Sequence, residues 1–262
     1  YIVWTEQIPD VRWQNVNYSV IKLYNRKTGK VEQIGKKSRF YSPTINDKNL
    51  AFIEIRNTES VIFVYSLEEK TIIDSIKAEG IHFVDPQLIN NDELVIILHE
   101  NSGQSVALVN LKTHEIELLT ENTFYEIKDP YIVDSTLFYI SGENGTNNLY
   151  AISLKTKVKK QVTNVRYGID GLSFSDHKLF FANYLSNGNN IGLIEVENAL
   201  EQDYSAEFDG FLFVDSLVSQ ENFVANDKTI STNRYKIEKY NRFANLFNIH
   251  SWGLLYYNLD DF

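Results

Sequence analysis

Short apolar runs recur along this chain at a period near 43 residues, and that recurrence constrains the fold more than any other feature. The runs beginning at Leu50, Leu94, Leu137 and Leu179 are spaced 44, 43 and 42 residues apart, each after a polar turn rich in Asn, Asp or Ser. A second run follows each first one, ending on Leu67, Leu111 and Leu154, with Ile191–Val196 as the fourth copy. Ahead of the first runs stand Ser42-Pro43, Asp85-Pro86 and Asp129-Pro130, with Asp170-Gly171 in the fourth copy. Proline has no N–H to give to a ladder, so these pairs mark a strand start or an unpaired position. Short segments at Thr71–Ile76, Ile116–Thr120 and Lys160–Thr163 close each unit.

The runs are four to seven residues long and rich in Val, Ile, Phe and Tyr, which are strand lengths and strand residues. A helical solenoid is the competing repeat and does not fit them. Four short strands per period of this length predict an all-β fold, a β-propeller of four-stranded blades. The spacing predicts four full blades over residues 38–80, 81–123, 124–165 and 166–199, and a partial blade over 1–37 that lacks its innermost strand. A full ring of six or seven blades is expected from the repeat type, or five if residues 207–218 supply the missing strand. Residues 200–262 lose the period and read as an aromatic extension or a junction to a further domain, with Phe211–Val214 as one more strand.

Composition narrows the functional classes. The formal charge is −10, which disfavours nonspecific contact with nucleic acid. The basic clusters Lys36-Lys37 and Lys155–Lys160 read as solvated edges and turns. With no Cys there is no disulfide framework and no thiolate metal site. No apolar run approaches the roughly 20 residues of a membrane-spanning helix, so no membrane insertion by this segment is expected. The absence of Met and the start at Tyr1 predict a portion of a longer polypeptide.

The blades resemble the TolB-type repeat, in which a Ser-Pro or Asp-Pro strand, an Asp-Gly-Lys-like turn and an apolar strand recur. More specifically, Trp4-Thr5-Glu6 with Arg12-Trp13 and Tyr18-Ser19, Asn147–Tyr150 with Gln161-Val162-Thr163, Tyr167-Gly168, and Tyr184 before Ser186-Asn187-Gly188 are similar to large envelope proteins of Bacteroidota. In those proteins a propeller precedes an outer-membrane barrel of the surface-antigen type, and Asn245–Trp252 resembles the junction where the barrel begins. The Asp-Gly of the usual turn is degenerate here, as Asp47-Lys48 and Asp92-Glu93. The resemblance implies a bacterial cell envelope location, in the periplasm or at the outer membrane, with tethering to such a barrel.

The residues predict no enzyme, no cofactor and no metal site. The five histidines, His82, His99, His114, His177 and His250, show no ligand spacing. No Gly-x-Ser-x-Gly elbow and no phosphate loop occurs. The candidate binding residues are Asp85, Asp129 and Asp170, which recur near the start of successive innermost strands and are expected around one mouth of the central channel. Such carboxylates suit a basic peptide or a cation. The competing reading has each Asp capping its own turn. The expectation is a non-enzymatic protein- or peptide-binding scaffold. The alternatives are an accessory propeller of a peptidase or hydrolase, and a metal- or sugar-binding propeller.

Overall fold

The computed structural model describes residues 1–12, 16–56 and 59–205, together with Lys236. The chain divides into two units, Tyr1–Asp215 and Ser216–Phe262. The expected strand at Phe211–Val214 and the junction at Asn245–Trp252 lie outside the described residues.

The first unit is a succession of antiparallel meanders. Strands β1 (Ile2–Pro9), β2 (Asn17–Tyr24) and β3 (Val31–Ile34) form the first blade. The second blade comprises β4 (Phe40–Ile45), β5 (Asn49–Arg56), β6 (Glu59–Ser66) and β7 (Thr71–Lys77). The third holds β8 (His82–Leu88), β9 (Glu93–Glu100), β10 (Gly103–Asn110) and β11 (Ile116–Leu118). The fourth holds β12 (Ile127–Val133), β13 (Thr136–Ser141), β14 (Asn148–Ser153) and β15 (Lys159–Gln161). The fifth holds β16 (Ile169–Ser175), β17 (Lys178–Leu185) and β18 (Gly188–Glu195), followed by the short helix α1 (Val196–Glu201).

The apolar runs are continuous rather than alternating because each inner sheet buries both faces. On β5, Ala51 and Ile53 pack towards the third blade with Leu94, Ile96 and Leu98. Their neighbours Leu50 and Phe52 pack towards the first blade with Ile21. The same division recurs on β9, where Val95 and Ile97 meet Leu137 and Tyr139 of the fourth blade. On β13, Phe138 and Ile140 meet Leu179 and Phe181 of the fifth. Four inter-blade cores thus join five blades. The innermost strands are adjacent in order, β4 against β8, β8 against β12 and β12 against β16.

Turn chemistry repeats with the blades. One or two residues before the outer strand the chain takes a left-handed backbone, at Gly29, Lys70, His114 and Lys157, with φ of 70°, 53°, 61° and 59°. In each turn the N–H of that residue donates to the carbonyl of Asn25, Ser66, Asn110 or Ser153. The side-chain oxygens of those four residues accept a backbone N–H from within the same turn. These are Asx- and Ser-turns, which satisfy the chain locally and tolerate left-handed backbone beside them.

The fifth blade departs from the sequence expectation of a full four-stranded copy. After β18 the described chain does not add an outer strand to it. Instead α1 buries Val196 and Ala199 in the core shared by the fourth and fifth blades. The segment beyond returns to the fourth blade: Tyr204 N–H donates to Gln161 O at 2.8 Å, and Gln161 N–H to Ser205 Oγ at 3.2 Å. The far face of the fifth blade leaves Ile191 and Leu193 exposed. Five blades are therefore described, three of them four-stranded.

Candidate functional site

Each innermost strand carries a bulge at the marker dipeptide. The register of β4, β8, β12 and β16 against their neighbours shifts between Tyr41 and Thr44, Val84 and Gln87, Lys128 and Tyr131, and Asp170 and Ser173. The first extra residue in each is Ser42, Asp85, Asp129 or Gly171, with φ of 45°, 47°, 47° and 66°. A bulge re-aims a side chain and leaves one residue unpaired, which is why proline is tolerated directly after it.

The bulge side chains join one blade to the next. Ser42 Oγ donates to Asp85 Oδ1 at 3.3 Å, and Leu172 N–H donates to Asp129 Oδ2 at 3.1 Å. The second bond exists because Leu172 stands where the earlier blades have proline, so a free N–H is available. Thr44 repeats the link two residues on, accepting from Leu88 N–H at 3.1 Å. Burial pushes the Asp129 carboxyl above its ordinary value; the Leu172 N–H draws it down, and the charges of Asp85 and Asp170 push it up again. The three predicted carboxylates are therefore electrostatic neighbours, but they do different work. Asp129 accepts a backbone N–H of the next blade, and Asp85 accepts the Ser42 hydroxyl of the blade before it. Asp170 sits one residue ahead of the bulge, at the position Lys128 holds in the fourth blade, because Gly171 takes the left-handed site. It is exposed and pairs with Lys128 Nζ at 3.5 Å, which also reaches Glu126 at 3.3 Å. Among the described residues no group of three or more His, Asp or Glu is placed to hold a metal.

His99 lies opposite His82 on the β8–β9 ladder. Burial holds its imidazole below the ordinary value, against the pull of the Asp85 charge and a hydrogen bond with Gln104. The unfolded chain takes up this proton near its ordinary pKa, and the folded protein only at lower pH. Stability from neutral His99 is thus complete above that ordinary pKa and is lost as pH falls through the window beneath it. Urea unfolding at about pH 7.5 and about pH 5.5 should show a smaller acid loss in His99→Gln than in the native chain. An equal loss in both would refute this.

A second feature lies on the face where the innermost strands begin. Of the exposed aromatic side chains, Phe124 and Tyr125 stand on the connection into β12, Tyr167 on the connection into β16, and Tyr184 near the end of β17. These positions all fall on the same face of successive blades. Phe124 is 83 % exposed, Tyr167 49 % and Tyr184 55 %. Sequence reasoning did not pick them as a site. The available signal was large aromatics inside polar connections, where turn residues are expected.

A cleft of about 600 Å³ opens here between the fourth and fifth blades, lined in part by Lys128, Asn147, Arg166, Tyr167, Asp170 and Tyr184. Backbone bonds fix its walls: Ile169 N–H donates to Asn147 O at 2.9 Å, and Tyr184 N–H to Gly168 O at 3.1 Å. Gly168 supports this path with φ of 105°, a conformation that L side chains rarely adopt. Tyr167 and Tyr184 meet edge to face with centroids 6.4 Å apart, and the Arg166 guanidinium lies 5.3 Å from the Tyr167 centroid. A cleft of about 750 Å³ near Tyr1, Asn25 and Asn46 lies among turns of the first two blades. Its amides are already used: Asn25 caps Lys27 and Thr28, and Asn46 donates to Asn90 O. The fourth–fifth cleft is the better candidate.

No protein-family model matches the chain. No curated protein matches it either. Solved structures do. TolB from Acinetobacter baumannii superposes with a TM-score of 0.59 at 13 % identity, over 68 % of this chain and 47 % of that one. The fold is a TolB-like β-propeller. A putative TolB from Agrobacterium tumefaciens gives 0.53 at 16 % identity, over 68 % of this chain and 66 % of that one. A puromycin-hydrolysing peptidase of Mycobacterium tuberculosis gives 0.57 at 12 % identity, over 75 % of this chain and 34 % of that one. The TolB-like propeller therefore spans about half of the first TolB and about a third of the peptidase. Among its described residues no helix is long and apolar enough to cross a membrane.

Proposed function

We propose that this TolB-like propeller is a non-enzymatic binding module of the bacterial cell envelope, which takes a protein or peptide segment on the face bearing Phe124, Tyr125, Tyr167 and Tyr184. The observation that carries the reading is the convergence of exposed aromatic side chains from successive blades onto one face, beside a cleft in which an arginine lies over a tyrosine ring. Tyr and Arg are, with Trp, the residues that most often carry binding energy at protein interfaces, Tyr because it buries large area at small entropic cost and keeps a polar tip. The blades supply the rigidity such a face needs. The likeness of fold to TolB supports the envelope setting. The Bacteroidota context and a neighbouring outer-membrane barrel belong to the same proposal and rest on the sequence resemblance.

Selection of a displayed random dodecapeptide library against the chain tests this. Enriched peptides should lose at least about tenfold in affinity against a Phe124→Ser/Tyr167→Ser/Tyr184→Ser variant whose unfolding midpoint is unchanged. Peptides that bind this variant as well as the native chain, or no enrichment at all, refute the reading. A second reading, an accessory propeller beside a hydrolase domain, draws on the equal likeness to peptidase propellers. A nucleophile elbow in the longer gene product would favour it; barrel strands there would oppose it.

A further inference from the structure

We propose that the cleft between the fourth and fifth blades receives a carboxylate of the bound segment at Arg166, with the Tyr167–Tyr184 pair packing the apolar residue beside it. This rests on the loop face being the binding face, and it names the chemistry that the face selects.

The chain is strongly acidic, and two cations line this cleft, Lys128 and Arg166. Lys128 is committed, lying within 3.5 Å of both Glu126 and Asp170. Arg166 is different. Among the described residues it makes no ion pair, and its contact is with the face of the Tyr167 ring. A cation–π contact of this kind uses none of the guanidinium N–H groups as hydrogen-bond donors. Two of those donors match the two oxygens of a carboxylate in a bidentate fork. The ring beneath holds the guanidinium in place, so less freedom is lost when the fork closes.

The apolar half of the cleft comes from the same elements. Tyr184, near the end of β17, is tied by its backbone to Gly168, next to Tyr167, so the two rings and Arg166 are set by one hydrogen-bonded pair of segments within the fifth blade. Lys128 offsets the nearer carboxylates Glu126 and Asp170 in part, which lowers the repulsion an incoming anion meets. A peptide with an acidic residue next to a leucine or tyrosine satisfies both halves. A basic peptide finds Arg166 in its path.

Isothermal titration with three blocked hexapeptides tests the proposal. One carries a single glutamate between leucine and tyrosine; the others carry glutamine or lysine at that position. The glutamate peptide should bind at least about tenfold more tightly than its glutamine counterpart, and the margin should shrink at high salt. Arg166→Gln should abolish the margin while leaving the unfolding midpoint unchanged. Arg166→Lys should restore only part of it, since the ammonium cannot fork or stack in the same way. Equal binding of glutamate and glutamine peptides, lost in Tyr167→Ser/Tyr184→Ser, overturns the carboxylate while leaving the binding face intact. Preference for the lysine peptide, or no binding of the glutamate peptide at millimolar concentration, overturns the proposal. Binding of all three that survives Tyr167→Ser/Tyr184→Ser removes the binding face as well.

Discussion

Phe138→Ala lowers the unfolding free energy by about 3–5 kcal/mol, read as a fall in the urea midpoint at unchanged slope. Phe138 is fully buried on β13 and belongs to the core between the fourth and fifth blades, with Ile140, Leu149, Leu179 and Phe181. Truncation removes the transfer energy of the ring and leaves a void that two facing sheets cannot close, because each is held by hydrogen bonds along its length. The same core contains Val196 and Ala199 of α1, so the helix should loosen with it. Hydrogen exchange at Tyr204, whose N–H bonds to Gln161 on the outer edge of the fourth blade, should accelerate in the variant. A loss under about 1 kcal/mol would mean that this interface is not packed as described.

Gly103→Ala should cost about 2–4 kcal/mol, from strained backbone and two disturbed hydrogen bonds. Gly103 opens β10 with φ of 123°, and an added Cβ would stand 2.5 Å from the carbonyl oxygen of Thr123. The neighbour is backbone, so nothing nearby can rotate away. Gln104 and Thr123 exchange backbone bonds of 2.7 and 2.8 Å at this point, pinning the connection that carries Phe124 and Tyr125. The expected result is a lower unfolding midpoint together with faster exchange at Gln104 and Thr123. An alanine variant with native stability and native exchange would remove Gly103 as the anchor of that connection. The two substitutions act at different places: Phe138 holds blade to blade, and Gly103 holds the connection bearing Phe124 and Tyr125 to its own blade.

The strands were legible because each inner strand is buried on both sides. Leu50, Ala51, Phe52 and Ile53 are all buried, so burial alone writes an unbroken apolar run into the sequence, once per blade. The turns were legible for a similar local reason, since Asn110 and Ser153 cap the chain within a few residues of themselves. The departure in the fifth blade was not. Nothing in the spacing of Ile191–Val196 shows that the next residues will leave as α1 and return to the edge of the fourth blade.

The acidic residues show where spacing stops informing. Asp85, Asp129 and Asp170 share a period to within a few residues, yet only the first two occupy the bulge. A shift of one residue turns a strand side chain to the other face, so near-periodicity cannot separate an inter-blade cap from an exposed ion pair. The replacement of proline by Leu172 was visible, but its consequence, an N–H offered to Asp129 from 43 residues away in sequence, required the blades to be side by side.

By itself the sequence determined the repeat, the strand content and the places where the chain turns, because these follow from burial and hydrogen bonding within a single blade. The tertiary structure alone decided which side chains meet across blades. Arg166, Tyr167 and Tyr184 form one site with Asn147 and Lys128 only after two sheets pack and bring separate connections to a common face. The bulges leave their mark in the sequence at the recurring dipeptides, but a period along one chain does not say which side chains they aim together across neighbouring blades.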